Sequence, residues 1–166
     1  MKMLKYVDTM VTFSEIPDEI TLCINITGCK IGCKNCHSSY LAEDIGEGLT
    51  LDKIYKLIDN NEGITCVCFM GGDSSPKEID MFARCIKDLY DIKVAWYSGR
   101  QELAKEINLK WFDFLKLGPY IEKLGPLNSK TTNQRMYKVV YNHYDDGTSG
   151  YELEDITYKF LKKHED

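Results

Sequence analysis

The stretch GCKIGCKNCH, residues 28–37, places Cys29, Cys33 and Cys36 in one short segment, with His37 directly after. The spacing C-x3-C-x2-C offers three thiolates and no fourth nearby. Structural zinc takes four tetrahedral ligands, usually from two separated pairs. Here the neighbours Cys36 and His37 ligate one metal only with difficulty, and no second C-x2-C pair exists in the chain. A [4Fe–4S] cluster normally takes four cysteine thiolates, so three leave one iron without a protein ligand. An open coordination position marks a reactive metal site. Gly28 and Gly32 let a loop fold closely around a bulky group, and Lys30 and Lys34 set positive charge beside an anionic one. A zinc site made by Cys29, Cys33, Cys36 and His37, or three unrelated thiols, are the bland alternatives.

The elements that must position these residues read as α/β. TLCINIT (21–27) has the β-branched content of a strand, and the cysteine loop follows it. Thr50 is placed to cap a helix whose apolar positions are Leu51, Ile54, Tyr55 and Ile58. ITCVCFM (64–70) is a continuous apolar run, the pattern of a strand buried on both faces. GGDSS follows, and Ser75-Pro76-Lys77-Glu78 reads as a capping box with Pro at the first helical position. IKVAWY (92–97) and WFDFLKLG (111–118) predict two more strands, with a short helix over 100–107 between them. MYKVVY (136–141) predicts a last strand, HYDDGTSG (143–150) a loop, and 154–163 a closing helix. Alternating strands and helices imply β-α-β units and a mostly parallel sheet. Ligands bind such sheets at the C-terminal ends of the strands. The cysteine loop, GGD, SGR and KLGPY all follow strands, so they are expected on one edge.

The chain has 166 residues, which fits one domain over 1–166. It is too short for a closed eight-stranded β/α barrel of about 250 residues. The net charge of −5 argues against a basic nucleic-acid surface. No apolar run approaches the roughly 18 residues of a membrane span. The N-terminus has no long apolar block with a small-residue cleavage site, so a cytoplasmic protein is expected. Seven cysteines, an odd number, argue against a disulfide framework in that compartment. Cys66 and Cys68 are two apart on a predicted strand and share a face. They read as packing residues, as do Cys23 and Cys85.

Cys29-x3-Cys33-x2-Cys36 after a first core strand resembles the signature of the radical S-adenosylmethionine enzymes. Gly71-Gly72-Asp73 after the second strand resembles the Gly-Gly-acid turn of that superfamily. Trp96-Tyr97-Ser98-Gly99, Leu117-Gly118-Pro119-Tyr120-Ile121 and Asn133-Gln134-Arg135 are similar to later blocks of the activating proteins of anaerobic ribonucleoside-triphosphate reductase. The resemblance covers residues 6 to 141. Departures are Ser74 and Ser75 before Pro76, His37 where an aromatic residue is common, and Lys130-Thr131-Thr132 before Asn133.

The resemblance implies an open partial (β/α) barrel of mostly parallel strands, with the [4Fe–4S] loop after the first core strand. It implies one cluster held by Cys29, Cys33 and Cys36, and S-adenosylmethionine chelated to the open iron. Asn35, Cys36, His37, Gly71, Gly72, Asp73, Ser98, Gly99 and Asn133 are then the expected cofactor contacts. The implied reaction is reductive cleavage of S-adenosylmethionine, followed by removal of a hydrogen atom from a backbone glycine of the reductase. The implied partners are that reductase and a flavodoxin- or ferredoxin-like electron donor, with no nucleic acid and no membrane. No side chain is assigned as acid or base, because the cofactors carry the hard chemistry. Three other readings stay open. One is an activase of another glycyl-radical enzyme, such as pyruvate formate-lyase. Another is a small-molecule radical S-adenosylmethionine enzyme. The last is a non-catalytic metal-binding module.

Overall fold

The computed structural model describes residues 3–29, 31 and 39–161. The strands are β1 (Lys5–Thr12), β2 (Thr21–Ile26), β3 (Glu47–Gly48), β4 (Cys66–Met70), β5 (Lys93–Tyr97), β6 (Phe114–Leu117), β7 (Arg135–His143) and β8 (Ser149–Asp155). The helices are α1 (Leu51–Asp59) and α2 (Pro76–Leu89). All eight strands form one open sheet in the order β3-β1-β2-β4-β5-β6-β7-β8.

The centre of the sheet is built from the apolar runs. β2, β4, β5 and β6 pair in parallel, and their side chains alternate between two cores. Leu22, Ile24, Ile26, Val67, Phe69, Val94, Trp96 and Leu115 pack with Ile54 and Ile58 of α1 and Ile79, Phe82 and Ile86 of α2. The other face carries Cys23, Cys66, Cys68, Ala95, Tyr97, Phe114 and Met136, covered by Ile16, Leu127 and Ile156. A strand buried on both faces has no polar side to alternate with, which is why CVCFM is continuously apolar. Truncating one of the large buried aliphatics to Ala costs about 2–5 kcal/mol.

The outer strands correct the expectation of a mostly parallel sheet. β1–β2, β1–β3, β6–β7 and β7–β8 are antiparallel, and the sheet is mixed and open rather than a barrel. β1 carries Asp8 and Thr9 among its apolar residues and is largely half-exposed, so its run lacks the apolar continuity of the central strands. At the other end, the described part of the predicted closing helix, 154–161, holds the end of β8 and a 3₁₀ turn, Thr157–Phe160, while 162–163 lie outside the described residues. Asp146-Gly147 turns the chain: Gly147 has φ +84, and the Tyr144 N–H donates to the Thr148 carbonyl at 2.8 Å. Asp-Gly between two runs is a strong hairpin signal, and it pairs His143 with Ser149. β7 is therefore the first strand of a hairpin and not the last strand of the sheet.

Between β5 and β6 no helix forms over 100–107. The connection runs irregularly across the helix-side face and buries Ala104, Ile107 and Phe112 in the same core as α2. An extended residue advances about 3.3 Å and a helical one 1.5 Å, so a short crossover spans the sheet more readily without a helix. α1 and α2 are the only α-helices among the described residues. Thr50 caps α1, its side chain accepting from the Lys53 N–H at 3.3 Å. The predicted capping box of α2 is not made. Ser75 precedes Pro76 as expected, but its side chain makes no cap bond. Glu78 Oε2 is instead buried without a partner among the described residues. No described helix is long and apolar enough to cross a membrane.

Candidate functional site

The C-terminal ends of β2, β4, β5 and β6 come out on one edge and enclose a cleft of ≈150 Å³. Its lining includes Cys29 after β2, Gly71 and Asp73 after β4, and Ser98 and Gly99 after β5, with Gly118 after β6. Residues scattered over ninety positions of sequence thus meet because parallel strands deliver their following loops to one edge.

Residues 28–29 and 41–43 are tied together by backbone bonds. The Gly28 N–H donates to the Glu43 carbonyl at 3.1 Å, and the Cys29 N–H to the Leu41 carbonyl at 2.9 Å. Leu41 is buried and, with Ile26 and Ile31, gives the cleft an apolar wall. Cys33 and Cys36, and with them Asn35 and His37, lie outside the described residues. Among the described residues no three His, Cys, Asp or Glu side chains gather as a metal site.

The Gly-Gly turn is held by β5. The Gly71 N–H donates to the Tyr97 carbonyl at 3.1 Å, and the buried Trp96 indole donates to the Gly71 carbonyl at 2.7 Å. That carbonyl keeps its second lone pair. Gly71 has φ +103, and a Cβ there would lie 3.0 Å from the Ile26 carbonyl oxygen. Gly72 has φ +91, and a Cβ there would lie 2.7 Å from Ile79 Cδ1. Both positions therefore require glycine on conformation and on space.

Asp73 ties that turn to the loop after β5. One carboxylate oxygen accepts from Ser98 Oγ at 2.5 Å, the other from the Gly99 N–H at 2.9 Å. Arg100 adds a bond from its guanidinium to the Asp73 carbonyl at 2.9 Å. Ser98 Oγ in turn accepts from the Arg100 N–H at 3.1 Å. Both Asp73 and Ser98 are buried. Their polar atoms are spent on each other, so they shape the cleft by holding its two glycine-bearing loops together. Gly99 is where the third loop arrives: a Cβ there would lie 2.9 Å from Ile31 Cγ1.

Asn133 sits beside the cleft. Its Nδ2 donates to the Pro119 carbonyl at 2.9 Å, and its buried Oδ1 has no partner among the described residues. Tyr97, Lys116, Tyr120 and Gln134 also line the cleft; the sequence placed KLGPY, residues 116–120, on this edge and Gln134 in a candidate block, but named none of the four as a cofactor contact. Strand alternation carried a signal for two of them: Tyr97 and Lys116 follow Ala95 and Phe114 by two residues, on the face opposite the helices. The Lys116 ammonium lies 4.6 Å from the centroid of the Tyr97 ring. Burial pushes the Tyr97 phenol well above its usual value, so it remains a neutral donor, here to the Glu15 carbonyl.

Cys23, Cys66 and Cys68 are buried under the opposite face. Burial pushes the Cys66 and Cys68 thiols up, Cys68 further through its contact with Cys23. Protonated buried thiols are poor metal ligands. Cys85 is only half-buried, on α2, rather than in the core.

No family model matches the chain, and no curated protein or solved structure matches it either.

Proposed function

We propose that the protein is a radical S-adenosylmethionine enzyme of the cytoplasm. On this reading it generates a glycyl radical on anaerobic ribonucleoside-triphosphate reductase, with a flavodoxin- or ferredoxin-like protein as electron donor. The observation that carries the reading is the meeting of Cys29, the Gly71-Gly72-Asp73 turn and the Ser98-Gly99 loop in one cleft. The four parallel strands then form the wall behind the site, and the open edge of the sheet faces the partner.

The described residues fit the implied cofactors. Cys29 stands at the cleft, four and seven residues before Cys33 and Cys36 in the sequence, and supplies a soft thiolate suited to iron. Gly71, with no side chain, leaves room for a ligand to approach the backbone of its turn. When bound there, a [4Fe–4S] cluster and S-adenosylmethionine supply the reaction, one-electron cleavage of the sulfonium with hydrogen-atom transfer from the partner's glycine. The chain's own residues hold and enclose. Trp96 and Tyr97 fix the turn, Asp73 fixes the loop after β5, and Ile26, Ile31 and Leu41 keep water from the wall. The primary radical must be kept from solvent, and a protein loop inserted by the partner would close the open edge of the sheet.

The test is anaerobic reconstitution with iron and sulfide, reduction, addition of S-adenosylmethionine and assay of 5′-deoxyadenosine. The expected result is a brown protein that releases 5′-deoxyadenosine, with iron content lost in Cys29→Ala, Cys33→Ala and Cys36→Ala. A colourless protein that holds zinc and makes no 5′-deoxyadenosine sinks the reading in favour of a structural metal site. Activity toward pyruvate formate-lyase in place of the reductase selects the neighbouring activase.

A further inference from the structure

A second cavity, of ≈370 Å³, runs along the sheet face opposite the helices, lined by Ser14, Glu15, Pro126, Leu127, Asn128 and Phe160. It meets the cleft of Cys29 at four shared residues: Tyr97, Lys116, Tyr120 and Gln134. Ser14, Pro126 and Asn128 are exposed, so the outer end opens at the surface. The two cavities therefore adjoin, and these four residues form the neck between them.

The most telling residue of the neck is Gln134. Its side chain is buried, with 6% of the residue exposed. The only bond its carboxamide makes among the described residues is a long one, 3.4 Å from Nε2 to the Gly118 carbonyl. A buried amide normally has its donors and its acceptor satisfied. Oε1 is not sealed away as an orphan, since the buried unpartnered atoms are on Thr21, Glu78 and Asn133. It therefore faces the cavities that Gln134 lines. The rest of the neck is apolar or already engaged: Tyr97 donates to Glu15, and Lys116 lies over its ring.

The geometry points to Gln134 as the residue that holds the main chain of an extended peptide lying across the neck between the two cavities. A carboxamide presents one acceptor and two donors. That set complements a peptide unit of any sequence, and the N–H of the unit satisfies Oε1. Two adjoining clefts, both open to solvent and one lined by Gly71, suit an extended chain more than a compact small molecule. The assignment rests on the activase reading and specifies how that partner enters: backbone recognition at the neck brings a residue without a side chain to the cleft.

The test is the affinity of reconstituted protein for the anaerobic reductase, measured by biolayer interferometry with S-adenosylmethionine present. Gln134→Met keeps length and shape and removes the amide. It is expected to weaken the reductase complex about 5–20-fold, the value of one or two hydrogen bonds. Ser14→Trp, which fills the outer end from an exposed position, is expected to weaken it as well, and Lys56→Ala on the exposed side of α1 is not. A change under twofold in both Gln134→Met and Ser14→Trp overturns the assignment. So does an equal loss of S-adenosylmethionine affinity in Gln134→Met, because Gln134 then faces the cofactor. Wild-type protein that releases no 5′-deoxyadenosine is a separate failure, of the activase reading itself, and takes this assignment with it.

Discussion

Removing the Asp73 carboxylate probes the joint between the Gly-Gly turn and the loop after β5. In Asp73→Ala, the Ser98 hydroxyl and the Gly99 N–H both lose an ionised acceptor. Hydrogen bonds to charged groups contribute about 1.5–3 kcal/mol each. Ser98 is 3% exposed and water does not replace its partner readily, whereas Gly99 is half-exposed and its N–H is more easily hydrated. The Arg100 Nε contact to the same carboxylate is long, 3.6 Å, and its side chain is 42% exposed, so it adds at most about 1 kcal/mol. The expected loss is therefore about 3–4 kcal/mol, a large part of the roughly 5–15 kcal/mol that holds a domain folded. Asp73→Asn keeps an acceptor for Ser98 but turns an amide toward the Gly99 N–H, so about 1.5–2.5 kcal/mol is expected. Urea unfolding followed by tryptophan fluorescence measures both, since Trp96 is bonded to the same turn. Combined with Ser98→Ala, the cycle is expected to return a coupling of about 1–2 kcal/mol. If Asp73→Ala and Asp73→Asn each cost under about 0.5 kcal/mol with no coupling, the carboxylate does not clamp these loops.

Three further outcomes are expected. Gly99→Ala places a methyl against Ile31, an overpacking of about 1–3 kcal/mol; reconstituted iron content is expected to fall and to recover in Gly99→Ala with Ile31→Ala. Trp96→Phe leaves the Gly71 carbonyl without its donor and costs about 1–3 kcal/mol in urea unfolding, so a variant as stable as wild type refutes the bond. Cys66→Ala and Cys68→Ala are expected to keep full iron content and to lose about 1–2 kcal/mol of packing. Their buried thiols stay protonated in the folded protein, while the unfolded chain releases those protons above about pH 8.5. The folded state then binds more protons, so their contribution is full below that pH and is lost as pH rises. Wild-type stability that does not fall between pH 8 and 10 relative to Cys66→Ala and Cys68→Ala contradicts this.

The parallel centre was legible because its physics is local. CVCF and VAWY are buried on both faces, which requires continuous apolar runs. The turn residues after them were legible for a related reason, since Gly71 and Gly72 hold backbone conformations that side chains disfavour. What stayed hidden depends on neighbours. β1 takes its place by pairing with β2, with polar Asp8 bonded across to Asn25 at 2.6 Å, a contact no periodicity encodes. The connection over 100–107 has helix-forming residues, but its path is set by the span it crosses and by docking on α2, where Asp80 accepts from the Asn108 N–H at 2.7 Å. The β7–β8 hairpin did announce itself in Asp146-Gly147, and the apolar spacing beyond it suggested a helix only when that turn was read as a loop.

Site residues divide along the same line. Cys29, Gly71 and Gly99 reach the cleft because each follows a parallel strand, and strand order alone puts them on one edge. Asp73 and Ser98 also follow strands, yet their side chains are engaged by one another. Position after a strand thus predicts proximity to a ligand but not contact with it. Polar groups whose bonding the fold leaves incomplete are the candidates for contact, and Gln134 and Asn133 meet that condition while Ser98 does not. Such incompleteness is a property of packing, since the Gly118 carbonyl 3.4 Å away decides it, and Gly118 lies sixteen residues back in the chain. A glycine is needed there too, because a Cβ would lie 3.1 Å from the Gln134 Cα. Gly118→Ala is therefore expected to displace Gln134 and, on the proposed activase reading, to weaken a reductase complex as Gln134→Met is expected to.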